Sequence, residues 1–263
     1  MVIDKFEQFR PLSTKETPGS PVHAGHDMRV EKTDDDDANI KFCQQALGSL
    51  LWLVTRTRPD LTWAYSVAAS LTTRNPKEAA NRVRNILGYL KSTIELGFVY
   101  RKNDAQICAI DVYADASFAP GGGASHGGAN TFLYGNPVAW KSHRQSVVSA
   151  STAESELIEA TDAHLHARTV MLLRAELDQN TSLIFLRCDN SAALSMVGES
   201  ASRAWRSRHI SIRGHILDEA IREGEVQFTY VGTKEQRADG VTKGLARDLH
   251  SLSLSMWNMT LTP

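Results

Sequence analysis

The chain has 263 residues, 42% of them hydrophobic, and a formal net charge of -1, so it can bury one good-sized core with a smaller attached unit. No run approaches the roughly 18 consecutive apolar residues of a membrane-spanning helix, and the amino terminus MVIDKFEQFR is too charged for a secretory signal peptide. A net charge near zero argues against a protein that binds nucleic acid over its whole surface, so any such site must be local.

Residues 1–39 lack apolar periodicity and contain prolines, glycines and the acidic run Asp34–Asp37. This composition is typical of a disordered or loosely attached segment. The acidic run is either a solvated stretch or a cation site, and the mutual repulsion of carboxylates on a flexible chain favours the first interpretation.

A small helical unit is predicted over residues 40–101. Apolar side chains recur at helical spacing from residue 40 to 54, and a second helix is predicted after Asp60 as its N-cap. A third helix is predicted to begin at Asn75, because Asn is a favoured N-cap residue and Pro76 suits the first helical position.

Residues 102–246 combine strand and helix patterns and are predicted to form the main domain, with residues 247–263 as a C-terminal tail. Strands are predicted where apolar and polar residues alternate, and a hairpin turn is predicted at Gly135-Asn136-Pro137. Strand GFVYR stands just before residue 102. Within the domain the elements, in order, are strands ICAIDVYAD, TFLY and VAWKS, a helix from Ser151 to about Asp178, strand LIFLRC, a helix near Ser191–Val197, a helix ending at Gly224, a strand from Val226 to Tyr230, and a short last helix.

Four acidic residues stand where loops bring distant parts of a chain together. Asp115 closes the strand ICAIDVYAD and Asp189 closes LIFLRCD, so parallel neighbours would place both at one sheet edge. Glu156 in the long helix and Asp239 near the last helix can join them. Because converging carboxylates repel one another without a cation, convergence predicts bound divalent metal.

Only oxygen ligands are available at these positions, since the three cysteines are widely spaced and form no CxxC pair. Oxygen sites favour Mg²⁺ or Mn²⁺, and two such ions about 4 Å apart serve phosphodiester hydrolysis. On spacing alone, ordinary turn and cap roles remain the more common explanation for such residues.

Six stretches of sequence carry a family resemblance that decides between these explanations. Through these stretches and their order along the chain, the sequence resembles the ribonuclease H region of copia-type LTR retrotransposon polyproteins, preceded by the C-terminal end of the reverse transcriptase. The matching stretches are ALGSLLWLVTRTRPDLTWAYSV, NILGYLKSTIELGFVY, VYADASFA, VAWKSHRQSVVSASTAESELIEA, LRCDNSAALSM and RHISIRGHILDEAIREGEVQFTYVGTKEQRADGVTKGL.

The resemblance implies an α/β fold of the ribonuclease H type, with a mixed five-stranded sheet flanked by helices and preceded by the small helical unit. It implies a metal-dependent phosphodiester hydrolase that cleaves the RNA strand of an RNA/DNA hybrid with two Mg²⁺ ions, for which Mn²⁺ can substitute. It also implies the missing reverse transcriptase portion of the polyprotein as a partner, with residues 40–101 as the remnant of its connection.

Carried over residue by residue, the catalytic metal ligands fall on Asp115 of YADAS, Asp189 of CDN and Asp239 of EQRAD. The fourth ligand is either Glu154 or Glu156 of STAESELIEA. With Ser151 as N-cap, Glu154 completes a capping box, so it already has a local role. We therefore assign the role of fourth metal ligand to Glu156, which precedes Leu-Ile as the glutamate of the family's pattern does.

Basic and polar residues near these motifs are candidates for substrate contacts, because phosphate contacts from a local patch give salt-dependent binding. A solvated surface is the alternative, and for the two histidines of RSRHISIRGH proton transfer, phosphate contact and a plain surface role stay open. The candidates are Lys141, Arg144, Asn190, Arg206, Arg208, His209 and His215, with His143, Arg203 and Arg213 beside them.

Two functions from different classes compete. The intact set of four carboxylates favours an active endoribonuclease, whereas the absence of polymerase motifs favours a catalytically silent remnant that binds nucleic acid or a partner. In either case we expect an intracellular protein, in the cytoplasm or the nucleus, without a membrane partner.

Overall fold

The computed structural model describes residues 2–7, 12–19, 33, 35–102, 109–120, 123–178, 183–197 and 208–261, without the side chains of residues 109, 178 and 208–211. The chain forms two compact units. The helical unit comprises Met1–Val99, Ala119–Gly123 and Lys243–Pro263, and the sheet unit comprises Tyr100–Phe118 and Ala124–Thr242. Among the described residues, no helix is both long enough and apolar enough to cross a membrane.

The helical unit is built on helices α1 (Val2–Glu7), α2 (Asp36–Arg56), α3 (Thr62–Leu71) and α4 (Pro76–Ser92). Their apolar faces meet in one core, in which Leu50, Leu61, Leu71, Ile86 and Leu87 are almost completely buried. The predicted cap of α4 is confirmed, since Asn75 Oδ1 accepts a hydrogen bond of 3.1 Å from the Glu78 backbone N–H.

The prediction that Asp60 caps a helix is wrong. A 3-10 turn spans Pro59–Leu61, and α3 begins directly after it at Thr62. The Asp60 carboxylate instead accepts hydrogen bonds from the guanidinium of Arg58, at 2.7 Å from Nη2. Because both side chains are buried, this ion pair satisfies the carboxylate more fully than a solvated cap position would.

Two terminal segments depart from the expectations for residues 1–39 and 247–263. Helix α1 buries Ile3 and Phe6 in the core of the helical unit. At the other end, helix α9 (Arg247–Met256) leads to strand β7 (Met259–Leu261), which pairs antiparallel with β1 (Leu96–Phe98). These elements are too short to show a clear period in sequence.

The sheet unit confirms the mixed five-stranded sheet flanked by helices. Its strand order is β4-β3-β2-β5-β6, antiparallel between β2, β3 and β4 and parallel from β2 through β5 to β6. The strands are β2 (Ala109–Ser117), β3 (His126–Leu133), β4 (Asn136–Arg144), β5 (Leu183–Cys188) and β6 (Val226–Tyr230), and the helices are α5 (Thr152–Asp178), α6 (Ser191–Ser195), α7 (Arg208–Arg222) and α8 (Asp239–Thr242).

The predicted hairpin between β3 and β4 is confirmed, but its turn is Tyr134-Gly135 and not Gly135-Asn136-Pro137, since Asn136 and Pro137 already pair in β4. Tyr134 and Gly135 have φ angles of 53° and 76°, the left-handed conformation that two-residue hairpin turns require. The strand GFVYR, in contrast, does not precede β2 in this sheet, because Leu96–Phe98 pairs with β7 in the helical unit.

Candidate active site

The carboxyl ends of β2 and β5 bring Asp115 and Asp189 to one edge of the sheet. The two strands are parallel neighbours with Tyr113 opposite Arg187, so residues two positions further along lie side by side. Asp115 is buried, with 3% of its surface exposed, and Asp189 is half-buried directly after β5. The structure therefore brings these two predicted ligands together as the strand pattern implied.

Glu156 approaches the same edge from α5, which packs on the sheet. The residue is 6% exposed, and the Cys188 thiol donates to Oε2 at 3.7 Å. Ligand atoms of Glu156, Cys188 and Asp189 all lie within 4.8 Å of one another. Two of the four predicted ligands, Glu156 and Asp189, thus meet in one cluster, and Asp115 lies close enough to raise the pKa of Glu156.

The electrostatics of this cluster oppose negative charge in the absence of a cation. Burial, followed by the neighbouring Asp115 and Asp189 carboxylates, raises the pKa of Glu156 to about 9. Burial also raises the pKa of the Cys188 thiol, so that thiol stays protonated and is a poor metal ligand. The arrangement could hold a cation through its carboxylate oxygens.

Asp239 is held near this edge by the short helix α8. Thr242, one turn after Asp239, donates its hydroxyl proton to Asp115 Oδ2. Gln236, just before α8, donates to the Ala114 carbonyl at 2.9 Å. These two bonds fix the segment that carries Asp239 against strand β2.

The choice between the two glutamates of α5 is supported by their local bonds. The Glu154 backbone N–H donates to Ser151 Oγ at 3.2 Å, and its carboxylate accepts from the Ala150 backbone N–H at 2.7 Å. The Ser151 cap is as predicted, whereas the Glu154 carboxylate bonds the N–H one residue before the Ser151 N–H that a capping box uses. Glu156 is the glutamate that lies against Cys188 in the cluster with Asp189.

The predicted substrate-contact residues lie in different parts of the structure, and some of their side chains lie outside the described part of the chain. Lys141 and Arg144 lie on β4, and His215 is exposed on α7. Asn190 uses its side-chain oxygen to cap α6, accepting from Ala192 and Ala193. Arg206 lies outside the described residues, as do the side chains of Arg208 and His209.

Arg213 and His143, named beside those candidates, face helix α5. Arg213 donates to Asp162 Oδ1 at 2.5 Å, which links α7 to α5. His143 Nε2 lies 3.6 Å from Glu159 Oε2 and 3.7 Å from Asp162 Oδ2. Neither side chain is directed by these contacts to the Asp115 cluster.

The sequence interpretation missed the residues that position the site. Thr242 and Gln236 bond to Asp115 and its strand, and Gly128 gives α8 room, because a Cβ there would lie 2.8 Å from both Thr242 and Val241 side-chain atoms. The signal was the pair Gly127-Gly128 inside a strand, since glycine in a strand interior marks close approach by another segment.

Replacing Thr242 with Val tests this positioning role. Val keeps the shape but removes the hydroxyl that bonds Asp115, so we expect cleavage activity and Mg²⁺ affinity to fall by about 10-fold to 100-fold. Thr242→Ser, which keeps the hydroxyl, serves as the control and is expected to retain most of both. Steady-state cleavage against Mg²⁺ concentration measures the effect, and equal behaviour of the two variants would contradict it.

The raised pKa of Glu156 predicts how stability depends on pH without metal. A carboxyl whose folded pKa lies near 9, against an ordinary 4.5, favours the fold most at low pH and loses that contribution as pH rises toward 9. With a metal chelator present, raising the pH from 6 to 8 should lower the free energy of unfolding of the unaltered protein by about 2 kcal/mol more than that of Glu156→Gln. Urea unfolding at both pH values checks this, and parallel pH dependence of the two proteins would contradict it.

Known proteins similar to this chain are polyproteins of plant transposons. No family model matches the chain. It is 27% identical over 263 residues to the retrovirus-related Pol polyprotein from transposon TNT 1-94 of Nicotiana tabacum, a match that covers 96% of this chain. It is 26% identical over 220 residues to that from transposon RE1 of Arabidopsis thaliana, which covers 82% of this chain. Its homologues are retrovirus-related Pol polyproteins of copia-type plant transposons.

The chain spans only part of these Pol polyproteins, 19% of the tobacco one and 15% of the Arabidopsis one. Similar solved structures are ribonucleases H. LC11-RNase H1, in complex with an RNA/DNA hybrid, has 12% identity and a TM-score of 0.38 over 50% of this chain and 92% of its own. RNase H1 of Halobacterium salinarum has 20% identity and a TM-score of 0.34 over 51% of this chain and 93% of its own.

Proposed function

We propose that this chain is an endoribonuclease that cleaves the RNA strand of RNA/DNA hybrids by two-metal hydrolysis, as part of a retrotransposon polyprotein. The observation that carries the proposal is the buried Glu156 carboxylate, whose pKa is raised by burial and by Asp115 and Asp189. Ionising such a cluster is unfavourable in an apolar setting, so it either keeps a proton or binds a cation that neutralises it.

The donor set fits magnesium. Asp115, Glu156, Asp189 and Asp239 supply only carboxylate oxygens, the ligands that Mg²⁺ prefers, and Mn²⁺ accepts the same set. When bound, two such ions activate a water molecule and stabilise the leaving oxygen of a phosphodiester.

The chain's own residues contribute orientation and charge. Thr242 orients the Asp115 carboxylate through its hydroxyl, and Gln236 ties the segment before Asp239 to strand β2. Burial of Asp115 and Glu156 keeps bulk water from competing for their oxygens. The ligand oxygens are thus held in place before the substrate arrives.

Substrate recognition is proposed to rest on the shape and backbone of the hybrid. Lys141, Arg144 and His215 are proposed to contact phosphates, together with Asn190 and the segment that carries Arg206, Arg208 and His209. Such contacts give binding that weakens with added salt, while the 2′-hydroxyls of the RNA strand distinguish it from DNA. No base-sequence preference is expected.

The reverse transcriptase portion of the polyprotein is the proposed partner of the helical unit. Under this proposal residues 40–101 are the end of that portion and residues 102–246 are the nuclease domain. Helix α2 supports this proposal, because two consecutive large apolar side chains on it are exposed, Leu51 at 47% and Trp52 at 65%. Exposed apolar surface of this kind is typical of a face that meets another protein.

The chemistry of the products tests the proposal. An end-labelled hybrid incubated with the chain and Mg²⁺ should give RNA fragments with 3′-hydroxyl and 5′-phosphate ends, and chelation of the metal should stop cleavage. A 2′,3′-cyclic phosphate product would exclude this mechanism. A folded chain that retains the hybrid but cuts it with neither Mg²⁺ nor Mn²⁺ would instead support a silent, nucleic-acid-binding remnant.

A further inference from the structure

A second group of metal-ligating side chains lies between strand β4 and helix α5. His143 Nε2 is 3.6 Å from Glu159 Oε2 and 3.7 Å from Asp162 Oδ2. One ligand atom from each of the three residues lies within 4.8 Å of the other two. None of these residues is among the four carboxylates assigned to the active site.

The Glu159 carboxylate is buried in a space that the backbone leaves for it. Its side chain has no exposed surface, and a Cβ at position 127 would lie only 1.7 Å from Oε2, so Gly127 makes the room. Neither Glu159 oxygen has a hydrogen-bond partner among the described residues. Buried carboxylate oxygens normally accept hydrogen bonds, and these two oxygens accept none within the described part of the chain.

Two basic residues, Arg213 and Lys141, lie beside the cluster. Arg213 occupies Asp162 Oδ1 at 2.5 Å, while Oδ2 stays directed toward His143. Burial raises the pKa of Glu159 to about 8, and the positive charge of Lys141 opposes that rise. Gln145 also lies near: it donates one amide N–H to the Ser155 carbonyl at 2.9 Å, and its side chain also lowers the pKa of Glu159.

We propose that His143, Glu159 and Asp162 form a second metal site, for a divalent transition-metal ion that accepts nitrogen and oxygen ligands together, such as Zn²⁺ or Mn²⁺. Such ions bind imidazole and carboxylate in one coordination sphere, whereas Mg²⁺ prefers oxygen alone. The site links strand β4 to helix α5, so the bound ion stabilises the sheet unit.

The observed spacings are close to those of a coordination sphere. With metal–ligand bonds of about 2.0 Å in a tetrahedral site, ligand atoms stand about 3.3 Å apart. The two His143 distances exceed that by a few tenths of an ångström, which small side-chain rotations close. The half-buried His143 and Asp162, with 31% and 25% of their side chains exposed, leave a path for the ion and for a water ligand.

Nitrogen coordination provides a readout that the active site cannot produce, because its four ligands are all oxygens. With Mn²⁺ in excess over the full chain, pulsed electron paramagnetic resonance should show coupling to an imidazole nitrogen. His143→Gln and Glu159→Gln should each remove that coupling and weaken Mn²⁺ and Zn²⁺ binding to this site by at least about tenfold. Zn²⁺ should also raise the thermal midpoint of the unaltered chain more than that of either variant.

His215→Gln is the matched control, since it removes an exposed histidine on another helix and should keep the coupling. No nitrogen coupling in the unaltered chain, or coupling that survives His143→Gln, would overturn the proposal and leave a plain ion pair of protonated His143. If Glu159→Gln fails to fold, the half-exposed His143 variant decides the question alone. The outcome is independent of whether the chain cleaves hybrids.

Discussion

Replacing Glu156 with Gln is expected to lower the rate of hybrid cleavage at least about 1,000-fold. Gln keeps the size of the side chain but removes the negative charge at the centre of the carboxylate cluster, where burial and two aspartates already disfavour it. Without that charge the site holds its cations weakly, and the several kcal/mol that they contribute to the transition state are lost. Initial rates on a labelled hybrid in saturating Mg²⁺ measure the effect.

Glu154→Gln is the matched control, because it makes the same substitution two residues earlier on the same helix. Glu154 bonds the Ala150 backbone N–H at the helix start, so this change should cost some stability and leave the rate within about twofold. The metal-free Glu156→Gln protein should be at least as stable as the unaltered chain at pH 8, which excludes unfolding as the cause. Equal loss of cleavage in both variants would refute the assignment of Glu156.

Replacing Asp115 with Asn should have an effect of the same size, a loss of at least about 1,000-fold. Asp115 is 3% exposed, neighbours Glu156 closely enough to raise its pKa, and accepts the Thr242 hydroxyl. Asn can still accept that bond, so the fold should persist while one metal ligand loses its charge. Parallel measurement of cleavage rate and circular dichroism separates loss of function from loss of structure.

Asp111→Asn controls for the effect of an Asp-to-Asn change on strand β2. Asp111 lies four residues before Asp115 and forms a partly exposed ion pair with Arg187 at 2.7 Å. Loss of a pair of this kind costs at most about 1 kcal/mol, so cleavage should be almost unchanged. Full activity in Asp115→Asn, or an equal loss in Asp111→Asn, would contradict the proposed site.

The sequence predicted the sheet edge well because the relevant signals are local and strong. β5 begins with a continuous apolar run and β2 is mostly apolar before Asp115, and a parallel pair aligns the residues that follow, which placed Asp115 beside Asp189. The cap of α4 at Asn75 was equally accessible, since it depends on three adjacent residues. Periodicity and capping chemistry thus accounted for the framework of the candidate site.

What the sequence could not predict depends on pairs of residues far apart in the chain. The pairing of β1 with β7 joins two three-residue strands, each too short to show a period. The bond from Thr242 to Asp115 is a tertiary contact without a local signature, and the glycines at 127 and 128 signal close approach without saying which residue approaches. Asp60 illustrates the reverse case, in which a plausible cap is overridden by a buried guanidinium nearby.

The most direct test of the proposed function is cleavage of an end-labelled RNA/DNA hybrid by the full chain in Mg²⁺, beside duplex RNA and duplex DNA, and repeated with Asp189→Asn. We predict that the unaltered chain cuts only the RNA strand of the hybrid and that the variant binds the hybrid but does not cut it. Cutting that survives in Asp189→Asn, or a folded unaltered chain that binds the hybrid without cutting it, would contradict the proposal that these carboxylates hold the catalytic ions.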